Sequence, residues 1–302
     1  MPIIPGSNAP WPVRGRLAIL VTGASSGIGL ELAREAARER MPLLLIARDS
    51  AALDALATEL RQPAERTEAA QRGGAIDLSQ PADLSQPAER AGAVGEAHTL
   101  ALDLTTPGAV ATIGAKLTEC GLVCDLLVNN AGFGLVGAAA ELAVADQLRI
   151  LDLNLRVTIE LALMALPGML SRRRGGILNV GSVAGFMPGP GMAIYYASKA
   201  GLRSFSEALW AETRNRGVAV TLLAPGPVRT PFLERSGAAT TRLFRMPPKA
   251  TARHVAKRGW AGFRRGKRVV FPDALSWLLA RVAPILPRRF LLGQLARLQR
   301  RR

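Results

Sequence analysis

Cysteine is almost missing from this 302-residue chain, which holds only Cys120 and Cys124. Two thiols cannot build the disulfide framework that small secreted domains rely on. Without further ligands they also make a poor metal site, so no metal is expected. Their close spacing is expected to place both near the end of one helix, as buried filler. Residues 1–16 lack a charged start followed by a long apolar run, which argues against a signal peptide and for an extended, proline-bearing arm. No run is read as reaching the roughly 20 apolar residues that span a bilayer, because Arg281, Pro284 and Pro287 interrupt the longest candidates. A cytoplasmic protein is expected, with association at a membrane surface as the alternative.

Acidic residues are the third scarcity, and a local one. Residues 241–302 carry 17 Lys and Arg against a single acid, Asp273, whereas residues 1–240 hold 22 of each sign. The whole net charge of +16 therefore lies in the C-terminal fifth. Such a region suits anionic lipid, an acidic substrate or nucleic acid. It has no recognisable reading motif and no aromatic stacking platform, so nucleic acid is not an expected partner. Arginine is frequent throughout, 34 against 5 lysines, which accounts for the choice of cation but not for its segregation at one end.

What is present is a globular composition, 49% hydrophobic and 21% charged. Apolar strand-like runs at 17–22, 42–47, 98–103, 125–130, 176–182, 218–223 and 268–271 alternate with helical patterns, notably 30–40, 52–61, 142–166 and 197–216. That alternation predicts an α/β fold with a doubly wound parallel sheet of about seven strands and helices on both faces. Residues 62–97 do not fit, since a few residues would suffice there. They contain a tandem hexapeptide, Leu-Ser-Gln-Pro-Ala-Asp then Leu-Ser-Gln-Pro-Ala-Glu, at 78–89. Two copies are too few for a solenoid, so an inserted low-complexity surface loop is expected. The chain then divides into an arm (1–16), a main domain (17–272, with a loop of its own at 231–250) and a basic amphipathic helical tail (273–302).

After the first strand comes Thr22-Gly23-Ala24-Ser25-Ser26-Gly27-Ile28-Gly29, opening directly into a helix. Glycines there allow a tight turn and close approach of a pyrophosphate to the helix N-terminus. Farther on stand Asp103-Leu104 after the third strand, Asn129-Asn130-Ala131-Gly132 at the end of the fourth, and Asn154 on a long helix. Ser182 ends the fifth strand, Tyr195-Tyr196-Ala197-Ser198-Lys199 follows, and Pro225-Gly226 precedes Val228 and Thr230. In this order the set resembles the short-chain dehydrogenases/reductases over roughly residues 17–230. The resemblance implies a Rossmann-type domain whose cofactor contacts are Gly23, Ser25, Ser26, Gly27, Ile28, Gly29, Arg48, Asp103, Leu104, Asn130, Ala131, Gly132, Tyr195, Lys199, Pro225, Gly226, Val228 and Thr230. It implies Asn154, Ser182, Tyr195 and Lys199 as the catalytic set, and a homodimer or homotetramer through the two long helices.

The residues support part of this on their own. Positions i and i+4 share a helix face, so Lys199 is expected beside Tyr195, where its ammonium would lower the phenol pKa from about 10. Tyr195 would then act as proton donor to a carbonyl that receives hydride from NADPH. Ser182 would hold the carbonyl oxygen, and Asn154 would anchor a water relaying protons to Lys199. At the end of the second strand Arg48 suits a 2′-phosphate and Asp49 a ribose hydroxyl; the resemblance puts Arg48 at the NADP-selecting position, so NADP(H) is expected in preference to NAD(H). Phe232, Leu233, Leu243, Phe244 and Met246 either line an apolar pocket for a carbonyl or alcohol substrate or are ordinary packing. In the tail, Leu291, Leu295 and Leu298 fall near one face, suited to an anionic membrane or to the parent domain or a sister subunit. The function expected is NADP(H)-dependent oxidoreduction of a carbonyl or secondary alcohol. The alternative is a non-catalytic, NADP(H)-sensing protein on the same fold.

Overall fold

The computed structural model describes residues 11–62, 95–237, 241 and 250–299. Residues 1–10 of the arm, 63–94 of the inserted segment with its hexapeptide repeat, the loop residues Leu243, Phe244 and Met246, and Arg300 to Arg302 lie outside the described residues.

Seven strands form one sheet in the order β3-β2-β1-β4-β5-β6-β7, every pair parallel. They are β1 (Arg16–Thr22), β2 (Leu43–Ala47), β3 (Ala97–Ala101), β4 (Leu122–Asn129), β5 (Gly175–Val180), β6 (Val218–Leu223) and β7 (Val269–Val270). Strands β2, β4, β5 and β6 are buried along their whole length, as a sheet covered on both faces requires. The helices are α1 (Gly27–Ala37), α2 (Ser50–Arg61), α3 (Ala109–Glu119), α4 (Val144–Leu151), α5 (Val157–Ser171), α6 (Ala193–Thr213), α7 (Pro231–Arg235), α8 (Ala252–Arg264), α9 (Ala274–Val282) and α10 (Arg288–Gln299). One face of the sheet buries Leu32 and Ala36 of α1, Leu53 and Leu56 of α2, and Trp260 and Phe263 of α8. The other buries Ile113 and Leu117 of α3, Leu161 and Met169 of α5, and Leu209 of α6. The doubly wound sheet expected from the alternating pattern is therefore present.

Several boundaries differ from the sequence reading, each for a local reason. Cys120 and Cys124 do not share a helix: Cys120 caps the end of α3, and Cys124 is buried in β4, because Gly121 (φ 63°) turns the chain between them. Burial pushes both thiols above the usual cysteine range. Helix α6 starts at Ala193 rather than 197, just past Gly191 at φ 82°, which places Tyr195 in its first turn. The expected single helix at 142–166 is α4, a π-helical turn (Asp152–Arg156) and α5. Pro167 does not stop α5. The carbonyl it leaves without an N–H partner belongs to Leu163, whose side chain is 52% exposed, so that side of the helix faces water. Taken together, Val144–Ser171 is long and apolar enough to cross a membrane, contrary to the expectation of no such run, but 44% of its apolar window is buried in the protein. It packs on β4 and β5 as a core helix.

A buried polar chain ties the sheet to α6. Asn129 Nδ2 donates to Asn179 Oδ1 (2.9 Å) and to the Thr158 carbonyl (3.3 Å), while Asn179 Nδ2 donates to Ser206 Oγ (2.9 Å). Asn129, in the Asn-Asn-Ala-Gly motif, is thus spent inside the fold. Replacing Asn179 by Ala leaves the Asn129 amide and the Ser206 hydroxyl short of partners in the core. The expected cost is about 1–3 kcal/mol, read as a lower urea midpoint; an unchanged midpoint would show that the chain of bonds contributes no stability.

Candidate active site

Six strand ends, those of β1 to β6, converge at the carboxyl edge of the sheet, where doubly wound folds place ligands. The β1–α1 turn is held from the side by the end of β4. Asn130 Nδ2 donates to the carbonyls of Thr22 and Gly23, both at 3.1 Å. The Thr22 hydroxyl accepts the N–H groups of Asn130 (3.0 Å) and Ala131 (3.1 Å). This closeness fixes residue 29 as glycine: a Cβ there would lie 2.1 Å from the Gly23 oxygen and 2.2 Å from Asn130 Nδ2. Ser26 stands at the N-cap of α1 without capping it through its side chain, so the helix opens uncapped toward the cavity lined by Ser26, Gly27 and Ile28.

That cavity, of about 460 Å³, runs without interruption from Arg48, Asp103 and Leu104 past the turn to Ser182, Tyr195, Lys199 and Phe232. Of the cofactor and catalytic residues that the resemblance implies, all line it except Gly29, which lies beneath the turn, and Asn154, which lies behind the wall. Asn154 is held in the π-helical turn. Its Oδ1 accepts from Phe133 N (3.0 Å), and its Nδ2 donates to Phe133 O (2.9 Å) and Ser198 Oγ (3.1 Å). Its side chain thus clamps the 130–133 wall to α6 and does not reach the cavity. Phe232 and Leu233 line the apolar end, so they are more than ordinary packing.

At the other end Arg48 is exposed and Asp49 is turned away. The Asp49 carboxylate accepts from Ala52 N at 3.0 Å as the N-cap of α2, and it is not among the lining residues. Asp103 takes the Thr105 N–H (2.9 Å) and hydroxyl (2.7 Å) and faces Arg149 Nη2 at 3.5 Å. Burial works against its charge, but the Thr105 bonds, with Arg48 and Arg149 nearby, outweigh that and hold its carboxyl below the usual range. Arg149 and Thr105 were missed in the sequence. Thr105 sits two residues from Asp103, a spacing that favours such a bond, but nothing local marks Arg149, which arrives from α4.

Around Tyr195 the electrostatics differ from the expectation. Burial pushes its phenol up to about 12, with a hydrogen bond to Ser182 pulling the other way. The Lys199 ammonium lies 5.9 Å from the ring centroid and donates instead to the Val180 carbonyl at 2.8 Å. Lys199 is 6% exposed, and burial pulls it down to about 8. The lysine therefore does not lower the tyrosine here: desolvation outweighs a charge that is itself disfavoured. Ser182 Oγ accepts from Ala184 N at 3.1 Å as the cap of a 3-10 turn (Val183–Phe186), which fixes its hydroxyl beside the phenol. Phe232 packs on Tyr195 with centroids 5.5 Å apart. Tyr196, which lacks a lysine one turn on, takes a hydrogen bond from Gln299 Nε2 at 2.6 Å. Gln299 is a third missed neighbour, brought from the far end of the chain.

Comparisons with known proteins agree with this arrangement. A family model described as short chain dehydrogenase matches residues 17–94 and 75–240. Sulfoacetaldehyde reductase 2 of Chromohalobacter salexigens is 32% identical over 245 residues, 79% of this chain and 85% of that protein. Dehydrogenase/reductase SDR family member 7B of Rattus norvegicus is 26% identical over 281 residues, 90% of this chain and 78% of that protein. Among solved structures, a short-chain dehydrogenase from Sphingobium yanoikuyae in complex with NADPH superposes with a TM-score of 0.68 at 31% identity, covering 85% of this chain and 88% of that one. A Burkholderia phymatum protein in complex with NAD shares the fold, with a TM-score of 0.69 at 24% identity and coverage of 89% and 93%.

The clamp at Asn154 is open to test. Asn154→Ala removes three hydrogen bonds and leaves the Phe133 N–H and carbonyl without those partners. It is expected to cost about 1–3 kcal/mol, seen as a lower thermal midpoint and faster proteolysis around 130–134. Wild-type stability in the variant would remove the clamp from the account.

Proposed function

The chain belongs to the short-chain dehydrogenase family, an oxidoreductase family, and from that premise we propose that it is an NADP(H)-dependent carbonyl reductase with Tyr195 as proton donor. One observation carries the reading: a single cavity joins the uncapped start of α1 and Arg48 to the Ser182–Tyr195–Lys199 cluster. The donor set fits the nucleotide. The α1 N-terminus suits a pyrophosphate, Arg48 suits a 2′-phosphate, and Asp103 with Leu104 suits an adenine ring. Asp49, the residue that would have favoured NAD(H), is engaged in capping α2. Lys199 and the Pro225, Gly226, Val228 and Thr230 wall would hold the nicotinamide end.

When bound, the reduced nicotinamide supplies hydride to a carbonyl carbon. The chain's own part is to place and protonate the oxygen. With its pKa pushed up to about 12, Tyr195 keeps its proton at neutral pH and can give it to a developing alkoxide. The Ser182 hydroxyl, which donates to the Pro225 carbonyl at 3.4 Å, lines the same wall and can turn to donate to the same oxygen. Met192, Tyr196, Phe232 and Leu233 make the substrate end apolar, which favours an apolar or acyl-like carbonyl compound over a sugar. Exposed Val144, Leu148 and Leu163 on α4 and α5 support a homodimer or homotetramer through the long helices.

The test is NADPH and NADH oxidation against ketones, aldehydes, sugars and 3-oxoacyl thioesters. NADPH-selective turnover is expected, with Tyr195→Phe losing about 10²–10⁴ in kcat while nucleotide binding survives. Arg48→Ala should raise KM for NADPH about tenfold or more and leave NADH unaffected. Binding without turnover across the whole panel would favour a nucleotide-sensing role, and failure to bind either nucleotide would overturn the proposal.

The pH dependence follows from Lys199. Its folded pKa is lowered to about 8, so it is charged below that pH and neutral above it. If the charged ammonium assists at the nicotinamide end, kcat/KM for carbonyl reduction is level at lower pH and falls through about 8. A profile with no descending limb before the tyrosine range would show that the Lys199 charge is not required.

A further inference from the structure

The inner faces of the last two helices are committed to the domain. On α9, Ser276 is buried and its hydroxyl accepts the Gly226 N–H at 2.9 Å, with Ala280 and Ala283 buried on the same side. On α10, Leu291, Leu295 and Gln299 are buried, against Met187 and Tyr196. Leu298, expected on that face, is only partly covered.

The outer face of α9 is a different matter. Trp277 is 50% exposed, Leu278 49% and Ile285, in the 3-10 turn that follows, 79%. With Arg281 they recur at helical spacing (277, 278, 281, 285) and so share one side. Leu275, also exposed, borders the group. The Arg281 guanidinium lies over the Trp277 ring at 5.8 Å. From residue 274 to 302 the sequence has seven arginines and no acid. An indole and two aliphatic side chains in water beside arginines that form no ion pair among the described residues make a face suited to a partner of opposite charge.

Charge selects the partner. A second copy meeting this face across a two-fold axis would set Arg281 against its own counterpart, with no carboxylate in the segment to separate them. An acidic headgroup layer neutralises the arginines and gives the indole and aliphatic groups an apolar boundary to enter. We propose that the face formed by Trp277, Leu278, Arg281 and Ile285 docks this protein on an anionic lipid surface.

The test uses the full chain and vesicles of phosphatidylcholine with or without phosphatidylglycerol, at physiological salt. The expected result is co-sedimentation with the mixed vesicles only. A triple variant, Trp277→Ser, Leu278→Ser and Ile285→Ser, keeps every positive charge and should bind about tenfold or more weakly. Equal binding of variant and wild type would reduce the effect to adsorption by net charge and overturn the proposal, as would no binding by the wild type. A variant that changes oligomeric state without changing lipid binding would assign the face to a second copy instead. Independently of the triple variant, brominated lipid should quench wild-type fluorescence and spare much of that of Trp277→Phe; equal quenching in both would place the indole away from the lipid and overturn the proposal.

Discussion

The contact between the β1–α1 turn and the end of β4 is the constraint on which the site depends. Asn130 and Thr22 exchange four hydrogen bonds between side chain and backbone across it, counting the one to Ala131 N. These bonds fix how near the two strand ends come, and therefore where α1 starts. The uncapped start of α1 in turn fixes where an anion is stabilised. Residue 29 has room for hydrogen alone because the same contact leaves no volume for a methyl group. The glycine-rich turn is therefore a packing solution first, and its value to a phosphate follows from that packing.

A second constraint is the depth at which Tyr195 and Lys199 sit. Lys199 is buried and Tyr195 half-buried, and desolvation pushes each toward its neutral form, the phenol up and the ammonium down. In the proposed role of Tyr195 this is useful, since a phenol that keeps its proton is the form a proton donor needs. Ser182 and Asn154 contribute from opposite sides. Ser182 meets the phenol from its 3-10 cap, and Asn154 holds the 130–133 wall against α6. The buried Asn129–Asn179–Ser206 chain anchors the same helix lower down, so α6 carries Tyr195 and Lys199 on a support fixed at two levels.

The tail shows how one segment can meet two needs. Its inner faces close the cavity from behind through Ser276 on Gly226 and Gln299 on Tyr196. Its outer face carries apolar side chains and arginine. The segregation of charge seen in the sequence thus becomes a sidedness in space, with the domain on one side of the tail helices and the basic, apolar face on the other.

While most of the cavity wall from Gly23 through Thr230 came from the family resemblance, the sequence by itself determined the alternation of strand and helix, the parallel sheet and the glycine turn. Those features follow from local pattern: strand burial, i to i+4 spacing and turn chemistry act over a few residues. Only the tertiary structure decided the rest, because it depends on residues distant in the chain. Arg149 reaches Asp103 across 46 positions and Gln299 reaches Tyr196 across 103, neither announced by any local motif. The structure sets Arg48 on the cavity wall and turns Asp49 away as the cap of α2. Spacing placed Lys199 one turn from Tyr195 and suggested a lowered phenol pKa. Folding buried Lys199 and half-buried Tyr195, and desolvation, which no spacing reveals, pushes the phenol up instead.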